Sequence, residues 1–201
     1  MIAIIDYGAG NLHSVKNALD FLGAENCVTK ERQTILSADK VILPGVGSFG
    51  DAMDNLRRNG LEDTVKKAAE SGKPFLGICL GLHLLFEGSE ETPNVKGLGI
   101  FKGNVVKIPK KDKLKIPHMG WNSLELPKES KILKNIGDEP FVYFVHSYYI
   151  KPEDEGLISA YTEYGSKLGV AIEKDNIFAT QFHPEKSGKI GMQILKNFIE
   201  F

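Results

Sequence analysis

Arginine is scarce in this sequence. Only Arg32, Arg57 and Arg58 are arginines among its 25 basic residues, and arginine is the side chain that usually clamps a phosphate group with two hydrogen bonds. The 26 acidic residues balance the basic ones to a net charge of −1, whereas nucleic acids and anionic membranes attract proteins with a basic excess. The composition therefore argues against a nucleic-acid-binding protein and against a protein that binds membrane surfaces.

Long apolar runs and paired cysteines are also missing. No run approaches the roughly 20 apolar residues that a membrane-spanning helix needs, and residues 1–6 have no basic lead of the kind found in a signal peptide. Two cysteines, Cys27 and Cys79, are too few for a disulfide framework and lack the spacing of a zinc site. We therefore expect a cytoplasmic protein with no membrane segment and no metal.

The first half of the chain alternates short apolar runs with segments of helical periodicity. Three runs, at residues 1–6, 40–43 and 74–76, each end near glycine. Beyond each glycine, apolar residues recur at the spacing of one helix face. Strands that alternate with helices in this way predict βαβ units and a parallel sheet.

The second half of the chain has a different pattern. Short strands are expected at residues 99–108, 141–150, 156–164, 170–174 and 178–182. Residues 190–201 have the pattern of an amphipathic helix, and the lysine-rich residues 107–115 that of a solvated loop. Because no repeat or long linker divides the chain, residues 1–201 are predicted to form a single α/β domain in which helices flank an open mixed sheet.

A nucleophile elbow is predicted around Cys79. Gly77-Ile78-Cys79-Leu80-Gly81 has the pattern G-x-S-x-G with cysteine in place of serine, and it lies between an apolar strand and a helix. The flanking glycines would prevent clashes between Cβ atoms in the sharp turn, and the N-terminus of the helix would favour the thiolate. Cys79 is therefore the candidate nucleophile, whereas Cys27 is predicted to be structural.

A base for this thiol is predicted at His183. It follows the predicted strand 178–182, and Glu185 comes two residues later, across Pro184. In an extended backbone His183 and Glu185 would project to the same side, so that the carboxylate could accept a hydrogen bond from the ring. Pro184 disfavours helix at His183 and would preserve that geometry. A Cys-His-Glu triad is therefore feasible, whereas His118 and His146 are interpreted as hydrogen-bonded structural or interface residues.

The turn Pro44-Gly45-Val46-Gly47 follows another predicted parallel strand. Because ligands bind at the carboxyl edge of such sheets, this turn can face the elbow. Its glycines would let backbone N–H groups approach a developing oxyanion, with the N–H of Leu80 as the second donor. The alternative is a plain tight turn.

A nucleotide cofactor is not expected. Gly8-Ala9-Gly10 begins like a dinucleotide-binding motif, but His13 stands where the third glycine belongs. The Gly-Lys-Ser/Thr sequence of a phosphate-binding loop is also missing. The sequence therefore predicts an activity without a cofactor.

These segments together resemble the class I, triad-type glutamine amidotransferases over essentially the whole chain. The elbow and the tripeptide His183-Pro184-Glu185 are typical of the superfamily. Within it, His118-Met119-Gly120-Trp121-Asn122 and Phe144-Val145-His146-Ser147-Tyr148 resemble the glutaminase subunits of imidazole glycerol phosphate synthases. The resemblance implies a flavodoxin-like fold and a glutaminase activity that serves histidine biosynthesis.

The resemblance also implies roles for individual residues. Cys79 would attack the side-chain amide of glutamine, His183 would activate the thiol and protonate the leaving ammonia, and Glu185 would orient His183. A glutamyl thioester would form, and water would release glutamate from it. The implied oxyanion donors are the N–H groups of Val46 and Leu80. The implied glutamine pocket is lined by Gly47, His83, Ser147 and Tyr148.

The same resemblance implies a partner. In this family the ammonia passes to a (β/α)₈-barrel cyclase subunit, which pairs with the glutaminase as a heterodimer and forms imidazole glycerol phosphate and an aminoimidazole carboxamide ribotide. The residues implied near that partner are Asn11, Trp121, Tyr143 and Lys186. One position departs from the family, which usually has glutamine where this chain has His83. His83 either donates an equivalent hydrogen bond to the substrate or packs on its helix.

Other interpretations stay open on the sequence alone. A paralogous glutamine amidotransferase could feed ammonia to a different synthase, for example in sugar amination. A non-catalytic interaction subunit could use the same fold for assembly, with His83 marking the loss of glutamine binding, although the intact triad argues against it. A thiol protease or esterase would use a similar elbow, and the family resemblance disfavours it.

Overall fold

The computed structural model describes residues 1–111 and 114–201. Within these ranges, helices α1 to α6 span Leu12–Phe21, Arg32–Ser37, Phe49–Arg58, Glu62–Glu70, Leu80–Leu84 and Gly188–Glu200. Strands β1 to β12 span Ile2–Ile5, Asn26–Thr29, Lys40–Gly45, Phe75–Cys79, Gly88–Ser89, Gly103–Lys107, His118–Ser123, Phe141–His146, Tyr148–Pro152, Ile158–Glu163, Lys167–Lys174 and Ile177–Thr180. Short 3₁₀ turns cover Glu155–Leu157 and Pro184–Lys186. In the part of the chain just delimited, no helix is long and apolar enough to cross a membrane.

Ten of the strands form one large sheet. Their order is β2-β1-β3-β4-β12-β11-β9-β6-β5, and β10 pairs with β11. The strands from β2 to β12 in this order are parallel, whereas β11, β9 and β6 join with antiparallel pairing. Strands β7 and β8 form a separate antiparallel sheet. The predicted open mixed sheet flanked by helices is therefore confirmed.

Apolar side chains are buried on both faces of the large sheet. Ile4 and Ile5 of β1 are both inaccessible to solvent although consecutive residues of a strand point to opposite faces. One face packs against helices α2 to α5, and the opposite face packs against α1 and α6. Because β1, β3 and β4 are covered on both sides, their sequences are continuous apolar runs rather than alternating patterns.

Several boundaries differ from those predicted. The predicted strand 141–150 is two strands, β8 and β9, which are separated at Ser147. The predicted strand 156–164 begins with the turn Glu155–Leu157 before β10. Of the predicted loop 107–115, the first residue belongs to β6, and residues 112 and 113 lie outside the described residues. The separation at Ser147 matters because it places Ser147 and Tyr148 at the site described below.

Candidate active site

Cys79 lies where β4 turns sharply into α5. Its backbone has a φ of 55° and a ψ of −108°, which a residue with a side chain adopts only under strain. The glycines on both sides of Cys79 avoid steric overlap in this turn. A Cβ at Gly81 would overlap the carbonyl oxygen of Leu43, and a Cβ at Gly77 would lie 3.0 Å from the backbone of Gly81. The chain therefore forms the geometry of a nucleophile elbow, with Cys79 buried at the start of the helix.

The pairing of β3 with β4 brings the predicted oxyanion turn to the elbow. Gly45 is the register partner of Cys79, so Val46 and Leu80 leave neighbouring parallel strands at the same edge. The two segments pack closely, because a Cβ at Gly45 would lie 2.9 Å from the Cβ of Leu80. Beyond this contact the turn opens: Val46 is exposed, and Gly47 has a φ of 100° with open space around it. The predicted donors thus border the same space as the thiol.

The pairing of β4 with β12 brings the predicted base to the other side of the elbow. Thr180 is the register partner of Ile78, so Gln181, which directly follows β12, lies beside Cys79. His183 follows two residues beyond Gln181. Both strands end here at the carboxyl edge of the sheet, where α/β proteins bind their ligands.

His183 is held by Glu185. Its Nδ1 lies 2.8 Å from Glu185 Oε1, and the two side chains are 2% and 1% exposed. The backbone of His183 is extended, with φ −96° and ψ 97°. The prediction that the extended conformation continues to Glu185 is wrong, because Pro184–Lys186 form a 3₁₀ turn. Proline suits the first position of such a turn, since its φ is already fixed and it lacks an N–H.

The charge state of His183 depends on both of its neighbours. Burial disfavours the charged ring, but Cys79 and Glu185 raise the pKa of His183 to about 10. Within residues 1–111 and 114–201 the Nε2 atom makes no hydrogen bond, so Cys79 favours the charged ring through proximity rather than through a formed hydrogen bond. Because Nδ1 donates to Glu185, Nε2 is the atom left to take a proton from the thiol.

A cavity of about 310 Å³ lies in front of the elbow. This volume is near the lower end of the range for small-molecule sites, about 300–1,000 Å³. The predicted residues that line it are Val46, Gly47, Cys79, Leu80, His83, Ser147, Tyr148 and His183. Glu185 lies outside the lining, in contact with His183. In the described part of the chain, no group of three or more His, Cys, Asp or Glu side chains is arranged to hold a metal ion.

Two polar residues of the cavity lining were not predicted from the sequence. Gln181 is inaccessible to solvent, and its Oε1 lies 2.6 Å from His83 Nε2. Glu91 accepts a hydrogen bond of 2.8 Å from the backbone N–H of Phe49, at the start of α3. Only the register of β4 and β12 could have indicated Gln181, and Glu91 lies in a loop without a recognisable motif. His83 therefore contacts a protein side chain, which neither interpretation of His83 anticipated.

His146 also lines the cavity, and its hydrogen bonds have a defined direction. Its Nδ1 donates to the carbonyl oxygen of Tyr148 over 2.8 Å, because a carbonyl can only accept. Its Nε2 must then accept from Nδ1 of His118, 3.0 Å away. Burial lowers the pKa of His118 to about 4 and that of His146 to about 3. Both rings are therefore neutral at physiological pH and hold β7, β8 and β9 together.

The residues predicted near a partner are spread over adjoining surface segments. Trp121 and Tyr143 are cross-strand partners in β7 and β8, with ring centroids 6.2 Å apart. Trp121 is 55% exposed and Met119, on the same strand, is 62% exposed. Lys186 is exposed in the turn that follows His183, and Asn11 precedes α1, which packs against that turn. The carbonyl of Tyr143 accepts a hydrogen bond of 3.1 Å from the N–H of His183.

Comparison with known proteins decides the family. Residues 3–201 match the family model described as glutamine amidotransferase class-I. The chain belongs to the class I glutamine amidotransferases. The family resemblance noted in the sequence is thereby confirmed.

Relatives of this class I glutamine amidotransferase match along the whole chain. Imidazole glycerol phosphate synthase subunits HisH from Methanocaldococcus jannaschii and Caldanaerobacter subterraneus subsp. tengcongensis are each 52% identical to it over 200 residues. These matches cover 100% of this chain and 99% and 98% of the two relatives. A crystal structure of a glutamine amidotransferase has a TM-score of 0.76 at 21% identity and covers 100% of this chain and 98% of its own. At that identity the likeness shows the fold alone.

Proposed function

We propose that this protein is the glutaminase subunit of an imidazole glycerol phosphate synthase, which hydrolyses glutamine for histidine biosynthesis. Two relatives that are 52% identical over the whole chain carry that subunit's name. The observation that carries the chemistry is the meeting of Cys79 with the pair His183 and Glu185 at one cavity. A thiol at an elbow with an oriented base is the arrangement needed for nucleophilic attack on an amide.

The reaction proceeds through a thioester. Nε2 of His183, whose pKa is raised, holds the proton of the Cys79 thiol, and the sulfur attacks the side-chain amide carbon of glutamine. His183 returns the proton to the amide nitrogen, the C–N bond breaks and ammonia leaves. A water molecule, deprotonated by His183, then attacks the thioester carbon, the C–S bond breaks, glutamate is released, and the proton held by His183 restores the resting pair of Cys79 and His183. Glu185 keeps the Nδ1 proton in place and stabilises the charged ring in both halves.

The oxyanion that forms in each half is stabilised by backbone N–H groups. Val46 and Leu80 leave neighbouring strands at the same edge and both line the cavity. In elbow enzymes the residue after the nucleophile supplies one donor, and a facing loop supplies the other. Leu80 and Val46 are in these two positions, so we assign them as the donors.

Glutamine is bound by the polar part of the lining. Ser147, Tyr148 and Gly47 offer hydroxyl and backbone groups to its carboxylate and amide. Glu91 adds a carboxylate to the same lining, and its negative charge suits the α-ammonium group of an amino acid. His83 lines the same cavity, where it is hydrogen-bonded to Gln181.

The partner in this proposal is a (β/α)₈-barrel cyclase that receives the ammonia and forms a heterodimer with this chain. The interface includes Asn11, Trp121, Tyr143 and Lys186. Exposed Trp121 and Met119 support this location, because large apolar side chains exposed side by side are typical of protein interfaces. The hydrogen bond between Tyr143 and His183 would connect the interface directly to the base.

Two further parts of the proposal concern the chain as a whole. We place the protein in the cytoplasm, because Cys27 and Cys79 are both free thiols, as is usual in a reducing compartment. We also treat residues 1–201 as one glutamine amidotransferase domain, since strands from both halves of the chain share the large sheet.

The proposal is tested with a Cys79→Ala variant and a purified cyclase. The variant should lose glutamate release and still co-elute with the cyclase, because only the sulfur is removed. Cys27→Ala, which removes the other thiol, is the control and should keep full activity. Substantial glutamate release by Cys79→Ala would refute the nucleophile. If the cyclase makes product from ammonium chloride but not from glutamine with the wild-type protein, the assignment to this synthase is wrong.

A further inference from the structure

Gln181 is brought to the nucleophile by the fold rather than by a local motif. The register of β4 and β12 makes it the neighbour of Cys79, although the two residues are 102 positions apart in the chain. His83 reaches the same place from a different direction. It lies four residues after Cys79, and positions four apart share one face of a helix. The register of β4 and β12 therefore places Gln181 near the Cys79 sulfur, and the turn of α5 places His83 near Gln181.

Hydrogen bonds connect the three side chains in a short chain. His83 Nε2 lies 2.6 Å from Gln181 Oε1, and Gln181 Nε2 lies 3.8 Å from Cys79 Sγ. The exposed fractions of Cys79, His83 and Gln181 are 8%, 6% and 0%. Water therefore competes little for these hydrogen bonds, and an amide in this environment keeps the orientation that its partners impose.

The direction of the hydrogen bonds follows from the chemistry of the groups. Burial lowers the pKa of His83 to about 4, although its hydrogen bond to Gln181 acts in the opposite direction. The ring is therefore neutral at physiological pH, and a neutral ring has one N–H. Because an amide oxygen can only accept, that N–H is on Nε2. With its oxygen engaged by His83, Gln181 turns its NH₂ group towards the sulfur.

We propose that Gln181 is a catalytic residue that donates an N–H to the sulfur of Cys79, and that His83 is the positioning residue that fixes the Gln181 amide in that orientation. This inference rests on the glutaminase function proposed above. While His183 holds the proton of the Cys79 thiol, the sulfur is an anion, and a donated N–H stabilises an anion more than a neutral thiol. Gln181 keeps its own protons throughout.

The test is the rate at which iodoacetamide alkylates Cys79 in the full-length protein as a function of pH. The label is quantified on the peptide that contains Cys79, so that Cys27 does not contribute. Gln181→Met keeps the length of the side chain and removes the N–H. We expect its alkylation at pH 7 to be about 10-fold slower and the midpoint of the pH profile to move upwards, because hydrogen bonds to charged groups are among the stronger ones.

The role of His83 is tested by two variants. His83→Leu removes the donor and should shift the alkylation profile in the same direction as Gln181→Met. His83→Gln keeps an N–H for the oxygen of Gln181 and should restore most of the rate. Thr180→Val is the matched control, because it removes a buried hydrogen bond of the same segment, from Thr180 Oγ1 to the carbonyl of Phe182, without touching Cys79. Its profile should match that of the wild type.

The same variants are then assayed for glutamate release with the cyclase present. Loss of a donor to the sulfur should lower kcat by about 10- to 100-fold with little change in KM. A wild-type alkylation profile in Gln181→Met would overturn the proposal for Gln181, and equal profiles for His83→Leu and His83→Gln would overturn the role of His83. Alkylation requires neither glutamine nor cyclase. A wild-type protein that releases no glutamate would therefore refute the proposed function separately.

Discussion

The side chain of Glu185 is 1% exposed and forms a hydrogen bond with the ring of His183. Its Oε1 accepts from Nδ1 over 2.8 Å, and its other oxygen has no hydrogen-bond partner in residues 1–111 and 114–201. Glu185→Gln keeps the shape and removes the charge that helps to raise the pKa of His183. We expect kcat for glutamate release to fall by about 10²- to 10⁴-fold, and the pH limb that reports His183 to move to lower pH.

The matched control for this change is Glu125→Gln. Glu125 is an exposed carboxylate paired with Lys167, so the control removes one charge from the surface and should leave the rate of glutamate release unchanged. Steady-state kinetics from pH 6 to 9 in the presence of the cyclase measures both variants. If Glu185→Gln retains the wild-type rate, Glu185 does not orient the base.

At the scale of single residues, the sequence predicts only those site residues whose motif consists of neighbouring positions in the chain. Glycines within two positions of Cys79 indicate the elbow, and a tripeptide indicates the pair of His183 and Glu185. The link between His83 and Gln181 spans 98 residues and exists because β12 pairs with β4 in one particular register. No pattern in a single sequence specifies that register, so Gln181 was missed and the partner of His83 was not foreseen.

Among the elements, the β4-to-α5 turn requires glycine at Gly81. A Cβ at Gly81 would overlap the Leu43 carbonyl oxygen, which belongs to β3 and cannot move without disturbing the sheet. Gly47, in contrast, has open space around it and a φ of 100°. We expect Gly81→Ala to lower the free energy of unfolding by about 2–4 kcal/mol. Gly47→Ala should lower it by about 1–2 kcal/mol, for backbone strain alone.

Urea unfolding of the two glycine variants, followed by circular dichroism, gives both free energies. The comparison is informative because the substitution is the same and only the surroundings differ. Equal losses for Gly81→Ala and Gly47→Ala would mean that contact with Leu43 is not what requires glycine at the elbow.

The elements that the sequence predicted well are those covered on both faces. Strands β1, β3 and β4 are continuous apolar runs, and their burial needs no further information. Strand β2, at the edge of the sheet, has the sequence Asn-Cys-Val-Thr and no fully buried residue. Its sequence therefore has no apolar run from which a strand could be predicted. The sequence predicts an extended backbone after His183 because Pro184 restricts the residue before it, but the same proline also starts the 3₁₀ turn.

At the scale of the whole molecule, the site depends on a sheet built from both halves of the chain. Strand β12, from the C-terminal half, pairs with β4 in the N-terminal half, and Tyr148 begins β9 farther along the same sheet. The alternation of strands and helices indicated parallel pairing in the first half. It could not indicate where the later strands insert, because strand order depends on long-range packing of the entire core.

The buried histidines give the whole molecule a predictable response to acid. Burial lowers the pKa of His83 and His118 to about 4 and that of His146 to about 3, whereas a histidine in an unfolded chain titrates near 6.5. Below about pH 6.5 these three histidines therefore bind protons in the unfolded chain but not in the folded chain. The folding free energy from these groups is complete above pH 6.5 and is lost as the pH falls towards 4. His183, whose pKa is raised, keeps its proton in the folded chain, whereas the unfolded chain binds that proton only as the pH falls through about 6.5, so near pH 7 this group changes the stability in the opposite direction.

The expected slope is up to about 1.4 kcal/mol per pH unit for each of these histidines. Urea unfolding at several values between pH 7 and 5 measures it. His83→Gln should reduce the slope by the equivalent of one proton, because one buried titrating group is lost. His13→Gln makes the same substitution at an exposed position of α1, and its slope is the reference with which the slope of His83→Gln is compared. Stability that is independent of pH over this range would mean that the three buried rings accept protons in the folded protein.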